Sequence, residues 1–495
     1  MAGKNGERAG TLHCEEWLMN KAVIKGIIPV LAGLAIWAVP LPGGLEPDAW
    51  AYFALFAAVV VALVLEPIPP ALAGLLGVII AAASRLVPLA PGKAASAADA
   101  IKWGLAGFSD GTVWLIFAAF MFALGYEKTG LGKRLALTLI KLMGKRTLGL
   151  GYAVALSDLV LAPFMPSNTA RSGGTIFPII KNIPPLYGSS PENNPRGIGA
   201  YLMWVALATT CVTSSMFLTA LAPNVLAQSL LEKTFKISLT WSQWFICFLP
   251  VGVILFLATP LLAYIVYPPT QKVSADAPVW AGKELQAMGP VSGREILMAL
   301  LAVGALLGWI FLPPVVNPTT VALAAVGIMV LCNVVKWDDV LGYKQAWNVL
   351  VWFATLVTLA DGLSKTGFLT WFAKSIAGSM QGLSPTASLL GLVLVFFLSH
   401  YMFASVTAHV TAMLPVMVAT AMAVPGLNLT MASMTLCATL GIMGVITPYG
   451  TGPSPIYYGS GFVKGKDFWV LGLIFGAFYL GVFLLVGMPW ISARM

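Results

Sequence analysis

The sequence predicts an all-α protein that crosses a membrane many times and is assembled from two inverted repeats. Three observations predict it. Of 495 residues, 59% are hydrophobic and only 9% charged, against roughly 25% charged in soluble domains, and most windows of about twenty residues are apolar enough to cross a bilayer. Four polar landmarks occur twice along the chain at nearly the same offset. Lys and Arg gather in short loops beside the apolar spans, the pattern of orientation signals. No charged stretch is long enough for a large soluble domain. The net charge of +9 is therefore read as topology, and no nucleic-acid partner is expected.

In chain order, residues 1–47 form a polar tail and a first span. The tail from Met1 to Asn20 lacks the apolar region of a cleavable signal. The first span runs from about Ile27 to the Pro40-Leu41-Pro42 break. The first repeat, 48–267, opens with spans Trp50–Leu65 and Ala71–Val87, and a short amphipathic stretch leads to Phe108–Phe122. A loop carrying Lys128, Lys133, Arg134, Lys141, Lys145 and Arg146 against Glu127 alone is then placed in the cytoplasm. Residues 148–183 are apolar but interrupted between Pro163 and Thr169, so each half is expected to be too short to cross. Lys181 and Arg196 beyond it are again basic, which makes the segment a re-entrant hairpin. Gly199–Leu231 is a span broken near Thr219–Pro223, and Trp244–Val266 follows. The linker 268–294, with Lys272, Lys283 and Arg294, is cytoplasmic by parity.

The second repeat, 295–495, has spans Leu297–Leu312, Val321–Val334 and Asn348–Leu363. A second hairpin at 388–424, a broken span at Met431–Gly461 and a last span at Phe468–Met488 complete it. The odd number of crossings between the hairpins makes the second enter from the opposite face, and Met495 is expected outside. Cys14, Cys211, Cys247, Cys332 and Cys437 show no metal spacing; no metal or cofactor is expected.

The duplicated landmarks carry the chemistry. Ser167-Asn168-Thr169-Ala170, followed by Arg171, matches Ser405-Val406-Thr407-Ala408, followed by His409. Pro178 matches Pro415, and Glu127-Lys128-Thr129-Gly130 matches Ser364-Lys365-Thr366-Gly367. Thr219 to Asn224, which includes Pro223, is answered by Thr451-Gly452-Pro453-Ser454. A helix starting at such a tip turns about half a positive elementary charge toward it, and its free N–H groups suit a carboxylate. The oxygens of the same turn suit Na⁺. A polar turn that only packs another helix is the bland alternative; two copies favour a site between repeats.

The tips differ, because Val406 withholds the amide that Asn168 supplies. Arg171 and His409 occupy matching positions, where a charge usually marks a pathway. Arg171 is cationic at any relevant pH, and His409 can switch near neutrality. Asp158 is expected not to pair with Arg171, being too distant in sequence to share a turn. His400 and Asp361 are placed near span ends without a role. Ser405 and His409, four apart, raise the possibility of a protease, but the Gly-x-Ser-x-Gly elbow is missing and Ser167 has no histidine beside it. Nor are there the repeated charges of a channel filter. No enzyme is expected.

At these residues the chain resembles the divalent-anion/sodium symporter superfamily, from its first apolar span to its last. Pro166-Ser167-Asn168-Thr169-Ala170-Arg171 matches the family motif fully. The second motif departs at Val406, and its Thr407-Ala408-His409 form is similar to the branch of bacterial citrate/succinate and tartrate/succinate antiporters and plastid oxoglutarate/malate translocators. The resemblance implies about eleven transmembrane helices plus two re-entrant hairpins, a homodimer in the bacterial inner membrane and an elevator-type movement. It also implies di- or tricarboxylate substrates of the succinate, malate, citrate, tartrate or 2-oxoglutarate class. By match, Ser167, Asn168, Thr169, Ser405 and Thr407 would hold carboxylates, with Thr219, Pro223, Asn224, Thr451, Pro453 and Ser454 lining the breaks beside them. Arg171 and His409 would stand in for Na⁺, giving sodium-independent antiport. Sodium-coupled dicarboxylate symport and sulfate transport are the rival readings.

Overall fold

A computed structural model of the chain describes residues 25–88, 95–312, 315–380, 382 and 384–495; Cys14 and the tail lie outside them. Among the described residues the secondary structure is helical, with one isolated bridge between Arg146 and Val273 and no strand. Among the described residues seven helices are long and apolar enough to cross a membrane, and shorter apolar helices such as Lys25–Ala38, Pro70–Ala83 and Pro318–Leu331 accompany them. Their starts follow from local chemistry. Proline stands in the first turn of Pro47–Leu65, Pro70–Ala83, Pro318–Leu331 and Pro385–Ser399, where its missing N–H costs nothing. Thr240 with Gln243, and Ser292 with Glu295, form capping boxes that satisfy otherwise orphaned N–H groups. Leu300, Leu473 and Leu485 are 63%, 69% and 81% exposed, which suits helix faces that meet lipid rather than water. The protein is an integral membrane protein.

Two compact units cut across the repeats. One comprises the described residues up to Asp110 together with Val351–Ser379. Within it the Tyr52 hydroxyl donates to the Leu359 carbonyl at 2.6 Å and Trp103 Nε1 to Asp361 Oδ2 at 3.2 Å, so Asp361 serves packing. The other unit, Gly111–Leu350 with Met380–Met495, contains both hairpins and both broken helices.

The first hairpin descends through Thr147–Leu161 and the short turn Ala162–Phe164, and returns through Thr169–Ile176 and Phe177–Ile180. The descending arm, Thr147–Phe164, is 18 residues long. Length alone therefore does not forbid a crossing, contrary to the expectation from sequence. The return does. The Thr147 hydroxyl donates to the Gln271 carbonyl at 2.6 Å, and past the other arm Tyr187 accepts the Ala277 N–H at 2.9 Å. Both ends of the hairpin thus meet the linker. The second hairpin, Pro385–Ser399 and Val406–Met422, starts slightly before the expected 388, where Ser384 caps the helix.

The basic segment expected as a loop is instead the helix Leu131–Met143, and the linker contains the helix Asp276–Ala287. Gly132, Ala136, Leu137 and Ile140 are its buried residues, an apolar stripe at helical spacing that leaves the cations outward. Lys133 meets Glu284 at 3.0 Å and Arg134 Nε meets Glu295 at 2.6 Å. The two basic segments placed on one side of the membrane are therefore in contact.

Candidate functional site

Both hairpin tips are built alike. Proline at 166 ends one extended turn, and the Ser167 hydroxyl accepts the Ala170 N–H at 3.1 Å while its carbonyl accepts that of Arg171 at 2.8 Å. In the second tip the extended Ser405 accepts the Ala408 N–H at 3.4 Å and the His409 N–H at 3.0 Å. Each serine is an N-cap. The serines take up two of the first-turn N–H groups at each tip, and helix geometry leaves those ahead of them without a partner in their own helix.

Breaks in two further helices come to these tips. Gly199–Met216 gives way to the turn Leu218–Ala220 before Ala222–Phe235 resumes. Here the Pro166 carbonyl accepts the Ala222 N–H at 2.7 Å, and the Thr219 hydroxyl donates to the Pro163 carbonyl at 2.6 Å and accepts Trp241 Nε1 at 3.1 Å. Asn224 spans the break from below, its Nδ2 donating to the Ser214 and Phe217 carbonyls at 2.7 and 3.2 Å. Thr219 and Asn224 thus hold the break together, although Asn224 Oδ1 stays buried without a partner. Pro223 sits in the first turn of the resumed helix.

The second break separates Leu429–Ala438 and the turn Ile442–Val445 from the helix Ser454–Gly459, which Pro453 precedes. Asn168 Nδ2 donates to Thr451 Oγ1 at 2.7 Å, across the two repeats. At Gly452 a Cβ would lie 1.8 Å from Thr169 Oγ1, so only glycine permits this approach. The second hairpin reaches the same stretch: His400 Nε2 donates to the Gly450 carbonyl at 2.6 Å, and the Tyr449 hydroxyl donates to the Tyr401 carbonyl at 3.2 Å. Residues 449–452 are the joint between the hairpins. Ser454, just beyond, is buried with its hydroxyl unpartnered. Ser405 and Thr407 remain within their own tip, where the Thr407 carbonyl takes the Thr411 hydroxyl at 2.9 Å.

Arg171 departs from expectation. Its Nε donates to Asp158 Oδ2 at 3.1 Å, and Nη1 donates to the Met165 and Ala220 carbonyls, both at 2.8 Å. Nη2 faces the hydroxyls of Thr210, Thr213 and Ser214 at 3.2, 3.4 and 3.2 Å. The Thr213 hydroxyl also donates to Asp158. The low expectation for direct pairing is overturned because the hairpin folds back: residues 13 apart in sequence lie side by side on antiparallel arms. Ser167, Asn168 and Thr407 retain 9%, 5% and 6% exposure, whereas Arg171 has none. Its charge is met inside the protein, so it does not leave the empty site with a free cation. It ties the tip, through Met165, to the first break, through Ala220.

His409 is equally buried. Its Nε2 shares a hydrogen bond with Ser399 Oγ at 3.1 Å, and its ring lies between Phe396, Phe403 and His400 with centroids 4.4, 5.0 and 5.1 Å away. His400, given no role from sequence, is therefore a member of the tip. A second ionisable ring inside an apolar arm, nine residues before His409, was the signal available for it.

A family model for the transmembrane region of sodium:sulfate symporters matches residues 20–494. The chain is 48% identical over 482 residues to the citrate/succinate antiporter of Escherichia coli strain K12, covering 95% of this chain and 98% of that protein. It is 47% identical over 468 residues to the L-tartrate/succinate antiporter of Shigella sonnei, covering 93% and 96%. Among solved structures, the Alcanivorax borkumensis YdaH transporter matches 86% of this chain and 97% of its own at a TM-score of 0.54 and 16% identity, a likeness of fold.

Proposed function

This chain belongs to the sodium:sulfate symporter family, within the divalent-anion/sodium symporters, and from that membership we propose that it exchanges di- or tricarboxylates across the bacterial inner membrane. The observation that carries the proposal is near-half identity, over almost the full length, to two antiporters whose names share succinate. Succinate is accordingly one member of the exchanged pair, and citrate or tartrate is the class of the other. The two serine-capped tips support this reading. Each helix start contributes about half a positive elementary charge, and one start in each repeat suits a molecule with a carboxylate at either end. Ser167, Thr169, Ser405 and Thr407 bind those carboxylates through hydroxyls and first-turn N–H groups. Asn168 sets the first tip against Thr451. We take the transport step to be an elevator-type movement in a homodimer, as the family resemblance implies.

Sodium independence rests on Val406. A small cation needs several oxygen ligands, and the second tip has a buried isopropyl group where the first has an amide. Because Arg171 is already paired and His409 is buried among rings, the helix starts supply the positive side of the site. An empty cleft leaves those donors unmet, which slows the return of an unloaded carrier and favours exchange over uniport.

The test is counterflow in proteoliposomes. Vesicles preloaded with succinate take up labelled citrate, tartrate or succinate in sodium-free buffer, and unloaded vesicles do not. Asn168→Ala abolishes uptake at near-normal expression. Strict sodium dependence would make symport the better reading; equal uptake without preload would remove exchange; sulfate uptake alone would move the substrate to inorganic oxyanions.

A further inference from the structure

The joint at 449–452 is held from both sides, and one of its holders is His400. A carbonyl oxygen can only accept a hydrogen bond, so the 2.6 Å contact with Gly450 places a proton on His400 Nε2 and fixes the tautomer of that ring in its neutral form. The bond is fully buried, and so is the rest of the ring, whose Nδ1 has no partner. Its acceptor cannot move aside easily. A Cβ at Gly450 would lie 2.8 Å from Thr447 Oγ1 and 2.9 Å from the Gly444 carbonyl, so the backbone there is seated in a close fit. The next residue, Thr451, receives the Asn168 amide at 2.7 Å, and the one after it, Gly452, lies against Thr169. Three successive residues are therefore gripped in turn by the second hairpin, the first hairpin and the first hairpin again.

We infer that His400 is a positioning residue for exchange: its Nε2–H holds the Gly450 carbonyl and thereby sets the Thr451 hydroxyl where Asn168 meets it. His400 does not touch substrate. It fixes the distance between a tip in one repeat and a tip in the other, which is the distance a molecule with two carboxylates has to bridge. A shorter or longer dicarboxylate samples that distance directly, and hence a loosened joint is read first as weaker affinity. The inference rests on the carboxylate-exchange reading, and wild-type counterflow tests that reading by itself.

The measurement is counterflow of labelled succinate by the full-length protein in preloaded proteoliposomes, with KM and maximal rate taken separately. His400→Leu removes the donor, His400→Gln keeps an N–H at a similar reach, and His400→Asn keeps an amide that falls short of Gly450. Loss of one hydrogen bond of this kind corresponds to a change of roughly three- to tenfold. Leu and Asn are expected to raise KM by about that factor, with a smaller change in maximal rate, and Gln is expected to stay near wild type. In a Thr451→Val background the His400→Leu effect should largely vanish, because the two residues act through one contact. A purely structural histidine would give no such dependence on Thr451. If the Leu variant does not insert, the Gln and Asn pair decides: equal KM values for the two overturn the proposal. Additive losses in the Thr451→Val background, or a Gln variant as impaired as Leu, also overturn it. Failure of wild type to exchange succinate would instead remove the functional reading on which the inference stands.

Discussion

The two hairpins share a plan and solve the same problem by different chemistry. In each, a serine caps a helix start at the tip, and an ionisable residue lies four positions on. The first hairpin meets its cation with a carboxylate from the opposite arm, Asp158, and with two backbone carbonyls from adjoining turns. The second surrounds His409 with the rings of Phe396, Phe403 and His400 and offers it only the Ser399 hydroxyl. The returning arms differ as well. Thr169–Ile176 is a π-helix, whereas Val406–Met422 is a regular α-helix that accommodates Pro415. A π-helical stretch of eight residues is rare, and π-helical turns frequently stand at functional sites. Here the wide turn contains Gly173, where a Cβ would sit 2.4 Å from Ile456 Cδ1, and Ser172, whose hydroxyl bonds Tyr457 at 2.8 Å. The first hairpin is thus hydrogen-bonded to both breaks, whereas the second is hydrogen-bonded to residues 449–450 and packs its returning arm on Ala222–Phe235. A duplicated sequence has kept the serine cap of each tip while assigning electrostatics to one copy and aromatic packing to the other.

Breaking the ion pair should give the largest effect. Removing one partner of a buried pair typically costs about 3–5 kcal/mol, because the other charge is left uncompensated. Arg171→Met and Asp158→Ala should each lower the thermal stability of the purified protein sharply, and the double variant should recover part of the loss. His409→Phe, which replaces one ring among rings, should cost far less. Thermal unfolding in detergent measures all four. Comparable losses at Arg171 and His409 would erase the distinction between the tips, and an unimproved double variant would show that Arg171 matters for its carbonyl bonds rather than its charge.

Gly452→Ala should come next. Its Cβ would collide with the Thr169 hydroxyl, pushing the first tip off the second break. Overpacking of this sort costs about 1–3 kcal/mol, and succinate affinity should fall with it. Thr169→Ser does not relieve the clash, since the hydroxyl remains; Thr169→Ala removes the atom concerned. Restored stability in Gly452→Ala with Thr169→Ala, but not with Thr169→Ser, would fix the contact. If Gly452→Ala alone is as stable as wild type, the tip and the break are not held as closely as the structure has them.

The sequence disclosed the tips, the breaks and their duplication because each is punctuated by residues that helices avoid in a membrane: Pro166, Asn168 and Thr169 in one, Ser405 in the other, Pro223 and Pro453 at the breaks. It did not disclose the Arg171–Asp158 pair, since two arms brought together by a fold-back have no fixed spacing, and helical periodicity relates only neighbours three or four apart. The π-helix leaves no compositional mark. His400 is hidden because the apolar run of the arm stops just before it, whereas the arm goes on through the short turn His400–Met402 to the tip. The helix Leu131–Met143 was legible in its apolar stripe but was masked by its lysines, which counted first toward orientation.

The smallest effect, and the one that bears most directly on sodium, belongs to Val406→Asn. In the first tip the amide of Asn168 has a hydroxyl to meet, that of Thr451. The residue matching Thr451 in the other break is Thr219, and its hydroxyl is already committed to the Pro163 carbonyl and Trp241. An amide placed at 406 would find its expected partner taken. A buried polar group without a partner costs about 1–3 kcal/mol, so Val406→Asn should be modestly less stable than wild type and should exchange somewhat more slowly without sodium. Its unpaired carbonyl oxygen would be a ligand in want of a cation, and sodium should therefore restore part of the lost rate in this variant while leaving wild type unchanged. Counterflow of labelled succinate at equal ionic strength in sodium and in potassium makes the comparison. A sodium response in both proteins would mean that Val406 never withheld a site. A response in neither would mean that the missing amide is not what separates the two tips, and the asymmetry would then reside in the Arg171–Asp158 pair alone.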